Sequence, residues 1–168
     1  MSASTRNLRH GKLILRDGTP TTPNTLIIPI QDGDLDYTIT YPTFIVKNRG
    51  KIDHKRTGDE TEIDIKFSFK FEQWSYASGA STGISPVDAL TKKGGASSWI
   101  SSGPSCGPYS IDIVFQVTDP CNSAQGEQLV FPAFNVESLN FTEGSEFDMV
   151  KVAGKALAFE PTRTWETF

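Results

Sequence analysis

Asp32, Asp34 and Asp36 alternate in Asp32-Gly33-Asp34-Leu35-Asp36, the spacing at which a calcium loop presents its first carboxylates. The chemistry would be oxygen coordination of a hard cation. Such a loop needs Gly at its sixth position and Glu at its twelfth, where this chain has Tyr37 and Thr43. A solvated turn leading into a strand is the expectation instead. Cys106 and Cys121 are the chain's two thiols, too few for a four-thiolate zinc site, and neither His10 nor His54 stands at zinc-finger spacing. Tyr109–Thr118 between the cysteines reads as one strand, about 33 Å long if straight. A disulfide needs Cα atoms ~5.5–6 Å apart, so free thiols are expected. Gly79-Ala80-Ser81-Thr82-Gly83 spells a nucleophile elbow but lacks the apolar strand that should precede one, so a loop is expected. His54 has the chemistry of a general base but no nucleophile nearby in sequence. Asn140-Phe141-Thr142 matches a glycosylation acceptor and reads here as plain strand. No phosphate-cradling, dinucleotide-binding or zinc-protease motif occurs. The residues therefore predict no enzyme, no metal and no cofactor.

One stretch remains unexplained by those motifs. Lys47–Glu62, KNRGKIDHKRTGDETE, is a polar run with Ile52 its one apolar member. It joins apolar Phe44-Ile45-Val46 to a Phe-rich strand. Compact domains connect strands with a few residues, so a long polar connection points to function. Its charge is basic first and acidic after. Residues 47–56 sum to +4, and Asp59, Glu60 and Glu62 follow. That arrangement suits a docking arm whose charge sets its register on a partner. Deleting Lys51–Thr57 is expected to leave the fold intact, because the segment contributes almost no apolar burial.

Composition sets the limits. The chain has 168 residues and a net charge of −4, with 37% hydrophobic residues and 11 Phe. That is one domain, 1–168, with enough apolar mass for a core. The sign of the charge argues against a DNA-gripping domain. No apolar run reaches the ~18–20 residues of a membrane span. The first residues lack the apolar stretch of a secretory signal, so synthesis in the cytoplasm is expected. Charge is segregated: +4 over residues 1–16 and −4 over 17–46 precede the +4 block. Opposite blocks on one small domain suggest self-association.

The elements that must position these residues are mostly strands. Ile63, Ile65, Phe67, Phe69 and Phe71 alternate with Asp64, Lys66, Ser68, Lys70 and Glu72, a period of two that predicts a strand over Glu62–Trp74 with one buried face. Leu35–Tyr41 and Ile111–Val117 alternate in the same way. Leu129–Phe134 carries Pro132, which places it at an edge or a bulge. The apolar phase slips between Val136 and Leu139, another bulge signal. Lys12–Arg16, Thr25–Ile30 and Val150–Phe159 complete seven or eight strands. Ser85-Pro86-Val87-Asp88 starts a short helix over 85–94, ended by Gly94-Gly95. The expectation is a mainly β fold, a β-sandwich or partial barrel, with one flanking α-helix and a long polar loop.

Taken in order, several strings resemble the major tail tube protein of long, flexible-tailed bacteriophages. They are Arg6-Asn7-Leu8, Gly11-Lys12-Leu13-Ile14-Leu15, Asp32-Gly33-Asp34-Leu35-Asp36-Tyr37, Arg49-Gly50, Asp53-His54, Gly58-Asp59-Glu60 and Phe67-Ser68-Phe69-Lys70-Phe71-Glu72. Cys106, Tyr109, Asp119-Pro120-Cys121, Phe131-Pro132 and Glu160-Pro161-Thr162 continue the likeness. The resemblance implies hexameric rings stacked into a tube through which DNA passes without specific binding. It implies an N-terminal arm over 1–11 and an inter-ring loop over 47–62, with Lys47, Arg49, Lys51, Asp53, His54, Lys55, Arg56, Asp59 and Glu60 as contacts. Six copies at −4 each make −24 per ring. Asp64, Glu72 and Asp112 are the candidates to line an acidic lumen, although Lys66 and Lys70 share that face. Implied partners are a tape measure protein, a tail terminator and baseplate or distal tail proteins. The implied location is the virion tail, with assembly in the host cytoplasm and a non-contractile tail. The alternative is a monomeric β-sandwich binding module of carbohydrate or adhesion type, with Trp74, Tyr76 and Trp99 as its aromatic platform.

Overall fold

The computed structural model describes residues 11–28, 35–70, 83–118, 126–144 and 148–166. Among these, ten strands and one short helix are found. The strands are β1 (Gly11–Arg16), β2 (Thr25–Ile28), β3 (Asp36–Thr38), β4 (Thr43–Asn48), β5 (Lys51–Thr57), β6 (Ile63–Lys70), β7 (Ile111–Thr118), β8 (Gly126–Thr142), β9 (Met149–Ala156) and β10 (Thr162–Glu166). Eight form one antiparallel sheet in the order β2-β1-β7-β8-β9-β6-β3, with β10 also on β8. The end strands β2 and β3 do not pair with each other, so the sheet stays open rather than closing into a barrel. β4 and β5 form a separate two-stranded ribbon.

β8 is the spine of the sheet. Its first half pairs with β7 on one edge and β10 on the other; its second half pairs with β9. The two halves meet at Pro132. Proline has no N–H to give a ladder, and here it sits at a bulge within a central strand rather than at an edge. Ala133 follows in the left-handed region at φ +48°. Its freed N–H donates to Asp112 Oδ1 at 3.0 Å, and Leu157 N–H donates to the Pro132 carbonyl at 3.2 Å. A second register shift falls between Val136 and Ser138, where the apolar phase slips. Two bulges turn a 17-residue strand, so both halves of the sheet face one core.

That core follows from the alternation. Ile63, Ile65, Phe67 and Phe69 are buried while Asp64 and Lys66 are exposed. Leu13 and Leu15 from β1, Ile113 and Phe115 from β7, Phe131 and Phe134 from β8 and Val150 and Val152 from β9 fill the same cluster. Tyr37 on the end strand β3 meets Phe131 on the spine edge-on at 5.1 Å, which shows how far the sheet curls.

The helix α1 runs Pro86–Thr91, shorter than the expected 85–94. Ser85 and Asp88 form a reciprocal capping box, and Pro86 starts the first turn. Lys92 takes a left-handed φ of +55° and ends the helix, so the lysines lie at and beyond its end rather than in its last turn. Lys92 Nζ instead stands 5.6 Å from the Tyr109 ring centroid. Ala89 and Leu90 insert into the core with Trp99. Asp17 fastens the neighbouring loops. Its buried carboxylate accepts from Thr19, from the backbone and side chain of Asn24, and from Ile100 N–H. Burial opposes its ionisation, but these donors outweigh that and hold its carboxyl below the usual range. Tyr109, half-buried and within the field of Asp17, has its hydroxyl pushed up to about 12 and donates it to the Ala89 carbonyl.

Candidate functional site

The expected polar loop over 47–62 is largely a β-hairpin. Its first strand begins earlier than the polar run and takes in Phe44, Ile45 and Val46. Asn48-Arg49-Gly50-Lys51 makes the turn, with Arg49 at φ +48° and Gly50 at φ +79°. Two successive positive φ values give the mirror-image turn whose twist matches the flanking strands. Gly50 has open space around its Cα, so the dihedral alone requires glycine there.

Register sets the faces of the ribbon. Phe44 pairs with Arg56, Ile45 with Lys55, Val46 with His54 and Lys47 with Ile52. The shift after Val46 leaves Asp53 as an extra residue. Such a bulge breaks the strict alternation and lets neighbouring side chains meet. Asp53 Oδ2 lies 2.8 Å from His54 Nδ1, and Arg56 Nε donates to His54 Nε2 at 3.0 Å. Because Nε2 accepts, Nδ1 carries the proton and donates to Asp53. Asp53, His54 and Arg56 thus form one surface triad.

The ribbon buries almost nothing. Every residue of β5 is exposed, and Phe44, Ile45 and Ile52 are 51%, 47% and 68% exposed. A two-stranded ribbon by itself is marginally stable in water, and large apolar side chains on both of its faces ask for a partner. Its base, by contrast, is fixed. Gly58 N–H donates to the Pro42 carbonyl at 2.7 Å, and the Thr61 hydroxyl donates to the Thr40 carbonyl. Tyr41 stacks edge-on against Phe159 at 5.3 Å, and its hydroxyl donates to Glu160 at 2.9 Å. That hydrogen bond to a carboxylate raises the Tyr41 pKa. The arrangement is an arm held at its root and bare beyond it.

Of the residues expected at a contact site, Lys47, Arg49, Lys51, Asp53, His54, Lys55 and Arg56 all lie on the arm. Asp59 and Glu60 lie just past its root, both exposed. Lys47, Arg49, Lys51 and Lys55 make no ion pair among the described residues. The apolar half of the arm, Phe44 and Ile45, escaped the sequence reading because it looked like an ordinary core strand. The Arg49-Gly50 turn was the available signal.

Of the expected lumen residues, Asp64 and Asp112 lie on different strands of the sheet. Asp64 is exposed on the outward face of β6, between register positions held by Thr38 and Lys155. Asp112 sits on β7, with β8 and β9 between it and β6, and its Oδ2 lies 2.9 Å from Arg16. Glu72 lies outside the described residues. The outward face around Asp64 also carries Lys66 and Lys151.

Other expectations fare variously. Trp99 is buried at 2% exposure, so it serves the core and not an aromatic platform. Trp74 and Tyr76 lie outside the described residues, as do Asp32, Asp34, Cys121, His10 and the arm over 1–10. Only Gly83 of the elbow-like string is described. Cys106 is a free, exposed thiol. Among the described residues no group of three His, Cys, Asp or Glu is placed to hold a metal, and no helix is long and apolar enough to cross a membrane.

No family model matches the chain, and no curated protein matches its sequence. Solved structures do match its fold. The PVC sheath/tube terminator of an extracellular contractile injection system aligns over 98% of this chain and 99% of its own, with TM-score 0.62 and 10% identity. The SPP1 tail tube aligns over 95% of this chain and 78% of its own, with TM-score 0.53 and 8% identity. The tube-terminating cap of the anti-feeding prophage aligns over 100% of this chain and 95% of its own, with TM-score 0.53 and 11% identity. Over nearly its whole length, this chain has the fold of tail tube and tube terminator proteins.

Proposed function

We propose that this chain is a structural subunit of a tail tube, built from stacked hexameric rings that conduct DNA during ejection. The observation that carries the proposal is the bare β4–β5 arm on a fold otherwise matched end to end by tube proteins. The arm reaches the adjacent ring, with Lys47, Arg49, Lys51, Asp53, His54, Lys55 and Arg56 at the contact. Rings that repeat one heterologous contact grow into a filament. Among the described residues the sheet edges at β2 and β3 are open, giving each subunit strands to offer its neighbours in a ring.

The role is structural rather than catalytic. The proposed partners are a tape measure protein, a tail terminator and baseplate or distal tail proteins, in the virion tail after assembly in the host cytoplasm. Of the carboxylates assigned to the bore, Asp64, Glu72 and Asp112, the last already has Arg16 as its counter-ion. Asp64 makes no ion pair among the described residues, so its replacement should change the charge of the bore without freeing a paired cation.

A second reading, a tube terminator, is favoured by the terminator and the terminating cap among the matching structures. Electron microscopy of concentrated purified protein separates the two. A tube subunit grows tubes of indefinite length; a terminator stops at single rings. Monomers under every condition would sink both and revive the binding-module alternative, which glycan titration would then test.

A further inference from the structure

The arm's charge is unevenly divided: between its two poles lie Lys55 and the Asp53-His54-Arg56 triad, in which Asp53 and Arg56 offset each other. Its tip carries Lys47, Arg49 and Lys51, around Ile52 at 68% exposure. Its root carries Asp59, Glu60 and Glu62, all exposed, beside Tyr41 at 61% exposure. None of these six charged side chains forms an ion pair among the described residues. From Thr43 at the root to Asn48 at the tip the strand advances five residues, about 17 Å. The Debye length at physiological ionic strength is about 8 Å. Within one chain the two poles are therefore screened from each other. Only a second molecule can bring opposite poles into contact.

We infer that the occupant of the acidic root is the basic arm tip of a second copy of this chain, so that root and tip form one heterologous, head-to-tail joint. The inference rests on the tube reading and adds the receiving surface to it. Each pole combines charge unpaired among the described residues with exposed apolar surface, Ile52 at the tip and Tyr41 with Phe44 at the root. Charge steers and registers the encounter, and the apolar surface supplies burial. Tyr41 is held in place by Phe159 and Glu160, so the receiving surface is formed before the tip arrives. Because tip and root belong to the same chain and cannot satisfy each other, the joint repeats without closing.

Charge reversal tests this joint. One variant carries Lys47→Glu, Arg49→Glu and Lys51→Glu; a second carries Asp59→Lys, Glu60→Lys and Glu62→Lys; a third carries all six. Sedimentation and electron microscopy give the concentration at which tubes appear. Each triple variant should raise that concentration about tenfold or more, and the sixfold variant should return it close to that of the unaltered chain. An equimolar mixture of the two triple variants should grow tubes that neither variant grows alone at that concentration, since alternating copies meet tip to root with opposite charge at every joint. Tubes from the unaltered chain, without recovery in the sixfold variant, would overturn the receiving surface while leaving the tube reading intact. Failure of the unaltered chain to assemble at all would overturn both. Circular dichroism checks that each variant folds; if a triple variant does not, Arg49→Glu and Glu60→Lys, singly and combined, put the same question.

Discussion

Asp112 Oδ1 accepts the backbone N–H of Ala133 at 3.0 Å, while its other oxygen holds Arg16 at 2.9 Å. The carboxylate thus joins β1, β7 and the bulge in β8. Pro132 breaks the ladder, Ala133 turns its N–H out of register, and Asp112 receives it. Asp112, a candidate for an acidic bore, also secures the bend in the spine strand.

Asp112→Ala should destabilise the protein by roughly 1–3 kcal/mol, because it strands the Ala133 N–H and the Arg16 charge together. At about 2–4 °C per kcal/mol for a chain of this size, thermal melting should register the loss. An unchanged melting temperature would show that the bulge is held by the chain alone.

Gly154 sits where β9 passes the second half of β8. A Cβ there would collide with the Asn135 carbonyl and come within 2.7 Å of the Phe134 ring. Phe134 is fully buried and cannot move aside. Gly154→Ala should cost about 2 kcal/mol or more. Chemical denaturation of the variant measures it.

Gly50→Val leaves the core untouched and attacks the arm. The φ of +79° is strained for any β-branched residue, although nothing crowds the site. Thermal stability should stay within about 0.5 kcal/mol, because every residue of β5 is exposed. Tube growth should fall. Equal assembly with a disrupted turn would show that the arm needs no hairpin geometry.

Lys55→Glu with Arg56→Glu should weaken assembly, and raising ionic strength should narrow the difference from the unaltered chain. Arg56 also holds His54, so a Lys55→Glu variant alone separates charge from loss of the triad. Light scattering across a salt series reads both effects.

Acid should loosen the Asp17 loops. Its folded carboxyl pKa is depressed, so its contribution is present above the unfolded value of about 3.9 and is lost as pH falls below it. Melting temperature should therefore drop on going from pH 5 towards pH 3. Asp17→Asn should melt lower at neutral pH and show a shallower dependence over that window.

Much of the fold was legible from local pattern. Ile63 to Phe69 alternate on one strand, and burial on a pleated surface needs nothing more than that alternation. The Ser85–Asp88 capping box and the slip after Val136 were likewise legible, because each depends on residues a few positions apart. The arm was legible only in part. Its charge could be counted along the chain, but Phe44, Ile45 and Val46 read the same whether a strand joins a core or a free ribbon. Whether an apolar strand is buried depends on what packs over it, and that is a property of distant chain.

By itself, the sequence determined the strand periods, the turn and cap positions, the absence of catalytic spacing and the division of charge along the chain. Tertiary structure alone decided which of those charges are free. Asp112 and Arg16, 96 residues apart, neutralise each other across β1 and β7. Lys47, Arg49 and Lys51 make no ion pair among the described residues, because the ribbon carries them away from the sheet and its own carboxylate, Asp53, is taken by His54. Coulomb energy depends on separation in space and on the solvent between charges, and neither is fixed until the sheet has closed over its core.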